Sequence, residues 1–384
     1  MKIGFLYQNI FGGTDLLLDR AQVWLAARGH ICSSIDIQSS VDFYDIVILP
    51  TSGIPKLYDY KMAGFRFKKI LIWSMGHGAF SQFMVNDNFL KKSPKIFNSI
   101  LNLYLRNLMR NLISSNSLIF TDEVGLNYEL DKLSIKFNGE NDMVVPIAVE
   151  KRNVMSPDNH ELESLRVAWL GRVSKDFKVR PLINLLELIH HNNRVGLNFS
   201  SFTVIGGGDG LSYLKEHLEL EDFGLKTIFV EHVDYENLPS YLNKNFDLVF
   251  AMGTSAINSA ASAVPTIIVN PRPFTALPDE GSYRWIFDSK GFSLGEFDFE
   301  NTRPEQTNMT FDELVCSLKN SNLSAISIKS RKYAEVFLED NVFPRLEKNI
   351  YDAKEIDTGA RVFLIASCFW KLKSGLKSVL ALFR

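Results

Sequence analysis

Short apolar runs alternate along most of the chain with stretches whose apolar positions recur every three or four residues. In the first 148 residues, Ile3–Tyr7, Ile46–Leu49, Ile70–Trp73, Ser117–Thr121 and Met143–Ile147 read as strands buried on both faces, because they are continuously apolar rather than alternating. Asp15–Arg28 carries helical spacing between the first two. The polar stretch from Glu150 to Ser164, with Lys151-Arg152-Asn153 and Ser156-Pro157-Asp158, breaks the pattern and reads as a linker. A second alternation follows: strand Val167–Leu170, helix Pro181–His190, strand Phe202–Ile205, helix Ser212–Leu218, strand Thr227–Val230, helix Leu238–Leu242, strand Leu248–Ala251, helix Ala256–Ala263 and strand Thr266–Val269. Strands alternating with helices predict parallel sheets covered on both sides. Two such series around a linker predict an α/β protein of two Rossmann-like, doubly wound domains facing across a cleft, with ligand at the carboxyl ends of the strands.

Length and composition agree with that division. The chain has 384 residues, long for a single core. Hydrophobic residues make up 46% and charged residues 22%, an ordinary globular balance, and a formal net charge of −2 gives no general affinity for nucleic acid. Cys32, Cys316 and Cys368 are too few and too scattered for a disulfide framework or a zinc site and read as reduced thiols of a cytoplasmic protein. The apolar run at the N-terminus is too short for a signal peptide, and no stretch approaches the roughly 20 apolar residues that span a bilayer.

Several short stretches carry candidate chemistry. Gly12 and Gly13 follow the first strand, where glycines allow backbone to approach a phosphate at a helix start. Trp169-Leu170-Gly171-Arg172-Val173, with Lys178 six residues after Arg172, puts two cations in a strand-to-helix loop, where they can neutralise a diphosphate and stabilise its charge as it leaves. Gly206-Gly207-Gly208-Asp209-Gly210 fits a flexible turn as well as a ligand contact, since it misses the G-x-G-x-x-G spacing. Gly253-Thr254-Ser255 places two hydroxyls and backbone N–H groups at a helix start, fit either to bind an anion or to cap the helix. His77 lies in Ser74-Met75-Gly76-His77-Gly78 after a strand, and a lone histidine there is as readily structural as catalytic.

Taken in this order, together with Arg28-Gly29-His30 at a helix end, Val145-Pro146-Ile147-Ala148-Val149 before the linker and Ala261-Ser262-Ala263-Val264-Pro265 after the last helix, these stretches resemble the large retaining GT-B glycosyltransferase family of bacterial lipopolysaccharide and capsule enzymes, the family-four-like group. The resemblance runs from about residue 1 to about 352. It implies an acceptor-side domain at 1–149, a linker at 150–164 and a nucleotide-sugar donor domain with a return helix at 165–352, leaving 358–384 as an added basic amphipathic helix. It also implies that Arg172 and Lys178 hold the donor diphosphate, that Thr254 and Ser255 cap it, and that Gly12, Gly13, Gly206 and Gly253 border it. His232, in the Phe229–Val233 segment, would lie beside the base, and His77 near the transferred sugar. No metal or other cofactor is implied. The family's paired glutamates, eight residues apart, are missing: Asn258 stands at the second position and Phe250 at the first, inside a strand, so the loop between is shortened.

Two basic, greasy segments suggest where an acceptor is met. Residues 91–121 contain Lys91, Lys92, Lys95, Arg106 and Arg110 and no acid, with Phe97, Ile100, Leu101, Tyr104, Leu108 and Leu112 at helical spacing. Residues 361–384 carry five basic residues, no acid, and a stripe of Ile365, Phe369, Leu372, Leu376, Val379 and Phe383. Helices of this kind lie in the headgroup region of an anionic membrane or pack on a core. The resulting expectation is a bacterial enzyme on the cytoplasmic face of the inner membrane. It would move a hexose, with retention, from a UDP- or GDP-linked donor to a growing lipid-linked glycan. The alternatives are a non-catalytic GT-B subunit of a transferase complex and a sugar-nucleotide epimerase using Asp122 and Glu123.

Overall fold

The structure is a computed structural model that describes the chain apart from residues 8–12, 36–42, 83–94, 138–140, 152–163, 193–196, 221–224, 298–305, 357–362, 369–370 and 372–384. It divides into two compact units, Met1–Ala148 with Glu339–Arg384, and Val149–Leu338. Each unit is a parallel-sheet Rossmann-like layer with helices packed on the sheet.

The first unit holds β1 (Lys2–Phe5), β2 (Ile31–Ser34), β3 (Phe43–Pro50), β4 (Arg66–Ser74) and β5 (Leu118–Phe120), ordered β2-β1-β3-β4-β5 and parallel throughout. The central strands are buried run by run, with Ile46, Ile48 and Leu49 of β3 and Ile70 to Trp73 of β4 fully enclosed. β2 escaped the apolar pattern because Ile31-Cys32-Ser33-Ser34 is an edge strand with exposed ends. The expected strand Met143–Ile147 is instead a short 3-10 turn over Asn141–Met143 and one bridge, Phe120 to Val144. Val145 still donates its N–H to the Phe120 carbonyl and accepts from Trp73 Nε1, but Pro146 has no N–H with which to continue the ladder.

Helix Glu339–Asp352 packs on the first unit, whereas residues 165–352 were expected to form one domain. Its Val342, Phe343, Leu346 and Ile350 join the core of Ile3, Phe5, Leu18 and Ile48. Arg28 and His30 fix it from outside, both bonding Glu347 at 3.0 Å. The order of apolar residues along the chain does not say which of two sheets such a helix will cover.

The basic segment 91–112 is helical over Lys95–Ser114, and its buried face is Leu101, Leu105, Leu108, Met109 and Leu112. Ile100, expected on that stripe, is 58% exposed and shares the outer face with Ile96 and Leu103. In the tail, 363–368 is helical and buries Phe363 and Ala366, while Ile365 of the expected stripe is exposed. Most of the segment 358–384 lies outside the described residues. No helix among the described residues is long and apolar enough to cross a membrane.

The second unit holds β6 (Leu165–Leu170), β7 (Phe199–Ile205), β8 (Thr227–Val230), β9 (Leu248–Ala251), β10 (Thr266–Val269) and β11 (Tyr283–Trp285) in the order β11-β10-β9-β6-β7-β8. All pairings are parallel except β10 with β11. The order places β6 beside β9, and successive connections run outward from that pair in opposite directions. A crevice therefore opens at the carboxyl ends of β6 and β9, the switch point of a doubly wound sheet. Beneath it Trp169, Phe202, Val204, Phe250 and Ile267 are fully buried.

β11 is held by a polar core. The Arg284 guanidinium, 1% exposed at the side chain, donates to Ser289, Ser293, Asn270 and Asn308 and pairs with Glu296 at 3.3 Å. Each of these partners offers an oxygen, so the buried charge is paired and well solvated by protein dipoles.

Candidate active site

The loops after β6 and β7 are zipped together by backbone bonds. Gly171 N–H donates to Ile205 O, Val173 N–H to Gly207 O and Gly210 N–H to Val173 O, at 2.8 to 3.0 Å. That contact requires glycine. Gly206 sits at φ +130°, and a Cβ there would lie 2.5 Å from the Gly171 carbonyl oxygen; at Gly208, φ +144°, a Cβ would lie 2.3 Å from the Val173 oxygen. The glycine-rich turn thus serves as a bed for the Gly171–Lys178 loop, which accounts for Gly206 without a ligand contact.

On this bed two polar groups converge. A Cβ on Gly171 would meet Ser255 Oγ at 3.2 Å and Lys178 Nζ at 3.5 Å. Lys178 and Ser255 thus both border Gly171 at the β6–β9 junction. Burial, and after it the charge of Arg172, pushes the Lys178 ammonium down from its ordinary value to about 8. Arg172 is exposed. Among the described residues neither cation has an ion pair or a hydrogen bond; Lys178 has only the Phe177 ring, 5.8 Å away.

Opposite stands helix Thr254–Ala261, joined to β9 by Met252 and Gly253 alone. Gly253 is its N-cap, at φ +62°, and no side chain caps the helix. Thr254 and Ser255 are therefore the first two helical residues, and their N–H groups stay available to an anion, since the helix start carries partial positive charge. Gly253 N–H is taken by the Leu294 carbonyl at 2.8 Å. The paired-glutamate loop has no room in a two-residue connection. Asn258, at the second glutamate position, accepts a long 3.4 Å bond from Tyr235 OH. His232 is 80% exposed beyond β8, with Asp234 3.2 Å away. Ala263, which replaces the glycine of the family pattern, takes φ +56°, a left-handed value normally left to glycine.

Gly12, Gly13 and His77 belong to the first unit. Gly12 lies outside the described residues, and Gly13 opens helix Gly13–Ala27, whose first turn carries Asp15. His77 is half-buried with its ring 4.2 Å from that of Tyr128. Burial, with Lys132 second, pushes it down to about 4, so the ring is neutral at pH 7. Its turn is held by a residue that the sequence did not single out. Glu129, 1% exposed, accepts the N–H groups of Phe80 and Ser81, each at 2.9 Å. Burial raises its carboxyl above the ordinary range. Asp122 and Glu123, the carboxylates of the epimerase alternative, begin helix Glu123–Lys132: Asp122 is its N-cap, accepting from Gly125 N–H at 2.6 Å and from Thr121 Oγ1 at 3.1 Å. Among the described residues no group of three or more His, Cys, Asp or Glu side chains is arranged to hold a metal.

No protein-family model matches the chain, and no curated protein matches it either. Solved structures do. HepE of Anabaena, in complex with UDP, is similar over 91% of this chain and 100% of its own, at 12% identity and a TM-score of 0.53. The lipopolysaccharide outer core galactosyltransferase WaaB is similar over 91% and 99% respectively, at 13% identity and a TM-score of 0.50. Of the S. aureus TarM structure the chain spans 55%. The fold is that of the GT-B glycosyltransferases.

Proposed function

We propose that the protein is a GT-B glycosyltransferase that moves a sugar, with retention, from a UDP- or GDP-type donor to a growing, lipid-linked bacterial surface glycan. The observation that carries this reading is Lys178, without an ion pair among the described residues, near the uncapped start of helix Thr254–Ala261 at the sheet's switch point, with the exposed Arg172 in the same loop. Cations and helix dipole suit a diphosphate in the ground state and, more strongly, the charge that grows as it departs. The leaving phosphate itself takes the acceptor's proton in such a mechanism, so no separate base is required. HepE, of similar fold, was solved with UDP, and WaaB is a galactosyltransferase. The lipid-linked acceptor is suggested by Ile96, Ile100 and Leu103, which stand exposed on a helix that also carries Lys95, Arg106 and Arg110. The cytoplasmic membrane face is the location consistent with this acceptor.

The two-residue Met252-Gly253 connection favours a second reading, a binding subunit that keeps the fold without catalysis. Thermal stabilisation by UDP, GDP, CMP and ADP tests the binding site, comparing the natural protein with Arg172→Ala. A ligand at about 100 times its Kd stabilises by about 2.7 kcal/mol. The expected result is a shift with one nucleotide that Arg172→Ala loses. No shift with any of them removes the roles given to Arg172 and Lys178. Binding followed by neither transfer nor hydrolysis of the matching nucleotide sugar favours the subunit.

A further inference from the structure

Helix Thr254–Ala261 leaves β9 through Met252 and Gly253 alone, and no side chain caps it. The direction of its first N–H groups therefore turns on Gly253, which holds φ +62° and ψ −142°. A glycine can adopt many other backbone angles, so this pivot has to be fixed from outside. The group that fixes it is the Leu294 carbonyl, which accepts the Gly253 N–H at 2.8 Å. Gly295 follows at φ +114° and lies tightly on the same connection: a Cβ there would be 3.4 Å from Met252 Cβ and 3.1 Å from the Val269 oxygen.

Leu294 and Gly295 are themselves held at both ends. Ser293, before them, accepts from Arg284 Nη2 at 3.0 Å and donates to Glu296 Oε2 at 2.5 Å. Glu296, after them, takes Arg284 Nη1 on its other oxygen at 3.3 Å and donates its N–H to Asn270 Oδ1 at 3.2 Å. Asn270 Oδ1 also accepts from Arg284 Nη1 at 3.2 Å. One guanidinium thus grips the two residues that bracket the Leu294–Gly295 pair. Ser293 is 2% exposed and Arg284 1%, so these bonds are shielded from solvent. A buried ion pair adds little stability once its desolvation is counted. What a planar guanidinium supplies is geometry, because its donors point in fixed directions.

We propose that Arg284 is a positioning residue for the donor site. Through Ser293 and Glu296 it holds the Leu294 carbonyl on Gly253, and so aims the N–H groups of Thr254 and Ser255. This rests on the donor site proposed above. Such donors serve a diphosphate only when held where its charge develops, and a shift of about 1 Å caused by a distant substitution can cost about 100-fold.

The test compares the natural protein with Ser293→Ala, with the double variant Arg284→Met, Glu296→Met, and with Ser327→Ala. The double variant removes both charges together, so neither is left buried alone. Ser327 is the control for a purely structural loss: its hydroxyl donates to the Ala263 carbonyl at 2.5 Å, past the other end of the same helix. Titration calorimetry with UDP, GDP, CMP and ADP is run at a temperature where every variant is folded. Ser293→Ala is expected to weaken the nucleotide that binds by about 10-fold, the worth of one charge-assisted hydrogen bond, and the double variant by at least as much. Ser327→Ala is expected to lower Tm and leave Kd unchanged. Amide hydrogen exchange of the ligand-free proteins, read on peptides spanning 252–258, is expected to quicken in Ser293→Ala and not in Ser327→Ala.

An unchanged Kd in Ser293→Ala, or a loss no greater than that of Ser327→Ala, overturns the proposal, and so does unchanged exchange over 252–258. If the double variant does not fold, Ser293→Ala decides alone. If no nucleotide binds the natural protein, the donor-site reading fails and the proposal falls with it; if the natural protein binds and the variants bind equally well, the positioning role alone is lost.

Discussion

Replacing Lys178 by methionine removes an ammonium that burial and Arg172 hold near pKa 8, against 10.5 for an ordinary lysine, and keeps a flexible apolar stem of similar length. A lysine with a lowered folded-state value weakens the fold while it is charged. At neutral pH the penalty is the difference between the two values, roughly 3 kcal/mol. Between about pH 8 and pH 10.5 the unfolded chain keeps this proton and the folded chain has released it, so the group's contribution to stability rises with pH by up to about 1.4 kcal/mol per unit. Lys178→Met is therefore expected to be more stable than the natural protein at neutral pH, with the advantage shrinking to nearly nothing by about pH 10.5. Urea denaturation of both proteins across that range reads the difference and cancels the titration of all other groups. The same variant should bind nucleotide poorly. In the natural protein, affinity should fall as pH rises through about 8, because the bound diphosphate needs the proton in place. A variant less stable at neutral pH, or an advantage that does not shrink in alkali, would refute the reasoning and return Lys178 to the structural side chains.

Ala263→Gly removes the Cβ from a left-handed residue and is expected to stabilise the protein by about 1 kcal/mol in urea melts, the strain outweighing glycine's entropy; a loss of stability would contradict the φ of +56° as a source of strain. Glu129→Ala leaves the Phe80 and Ser81 N–H groups unpaired in the interior and should cost about 2–4 kcal/mol, whereas Glu129→Gln keeps the acceptor oxygen. Since the carboxyl's folded-state value is raised, its contribution is fullest below about pH 4.5 and is lost as pH rises, so Glu129→Gln should gain on the natural protein from acid toward neutral pH; a gap that narrows instead would show that Glu129 is ionised and stabilised by its two donors.

What the chain order alone determined is the layer structure and the loops that bear chemistry. Thr227–Val230, Leu248–Ala251 and Thr266–Val269 are legible because a strand covered on both faces must be apolar at every position. A loop that follows such a strand must lie at the sheet's carboxyl edge, so Arg172, Lys178, Thr254 and Ser255 were legible as candidates. That the glutamate loop is shortened followed from the strand's extent in the same way, whereas its length of two residues was set by the helix starting at Thr254.

Everything that depends on which distant segment lies alongside was decided by the tertiary structure. Ile31–Ser34 became a strand because β1 offered its edge, not because its residues demand one. Helix Glu339–Asp352 chose the first unit through the fit of Val342, Phe343 and Leu346 to that core. The glycines at 206 and 208 serve the loop after β6, an approach that becomes visible only when a Cβ is placed against another segment's carbonyl. Pairing and burial are sums over neighbours that the order of residues does not list.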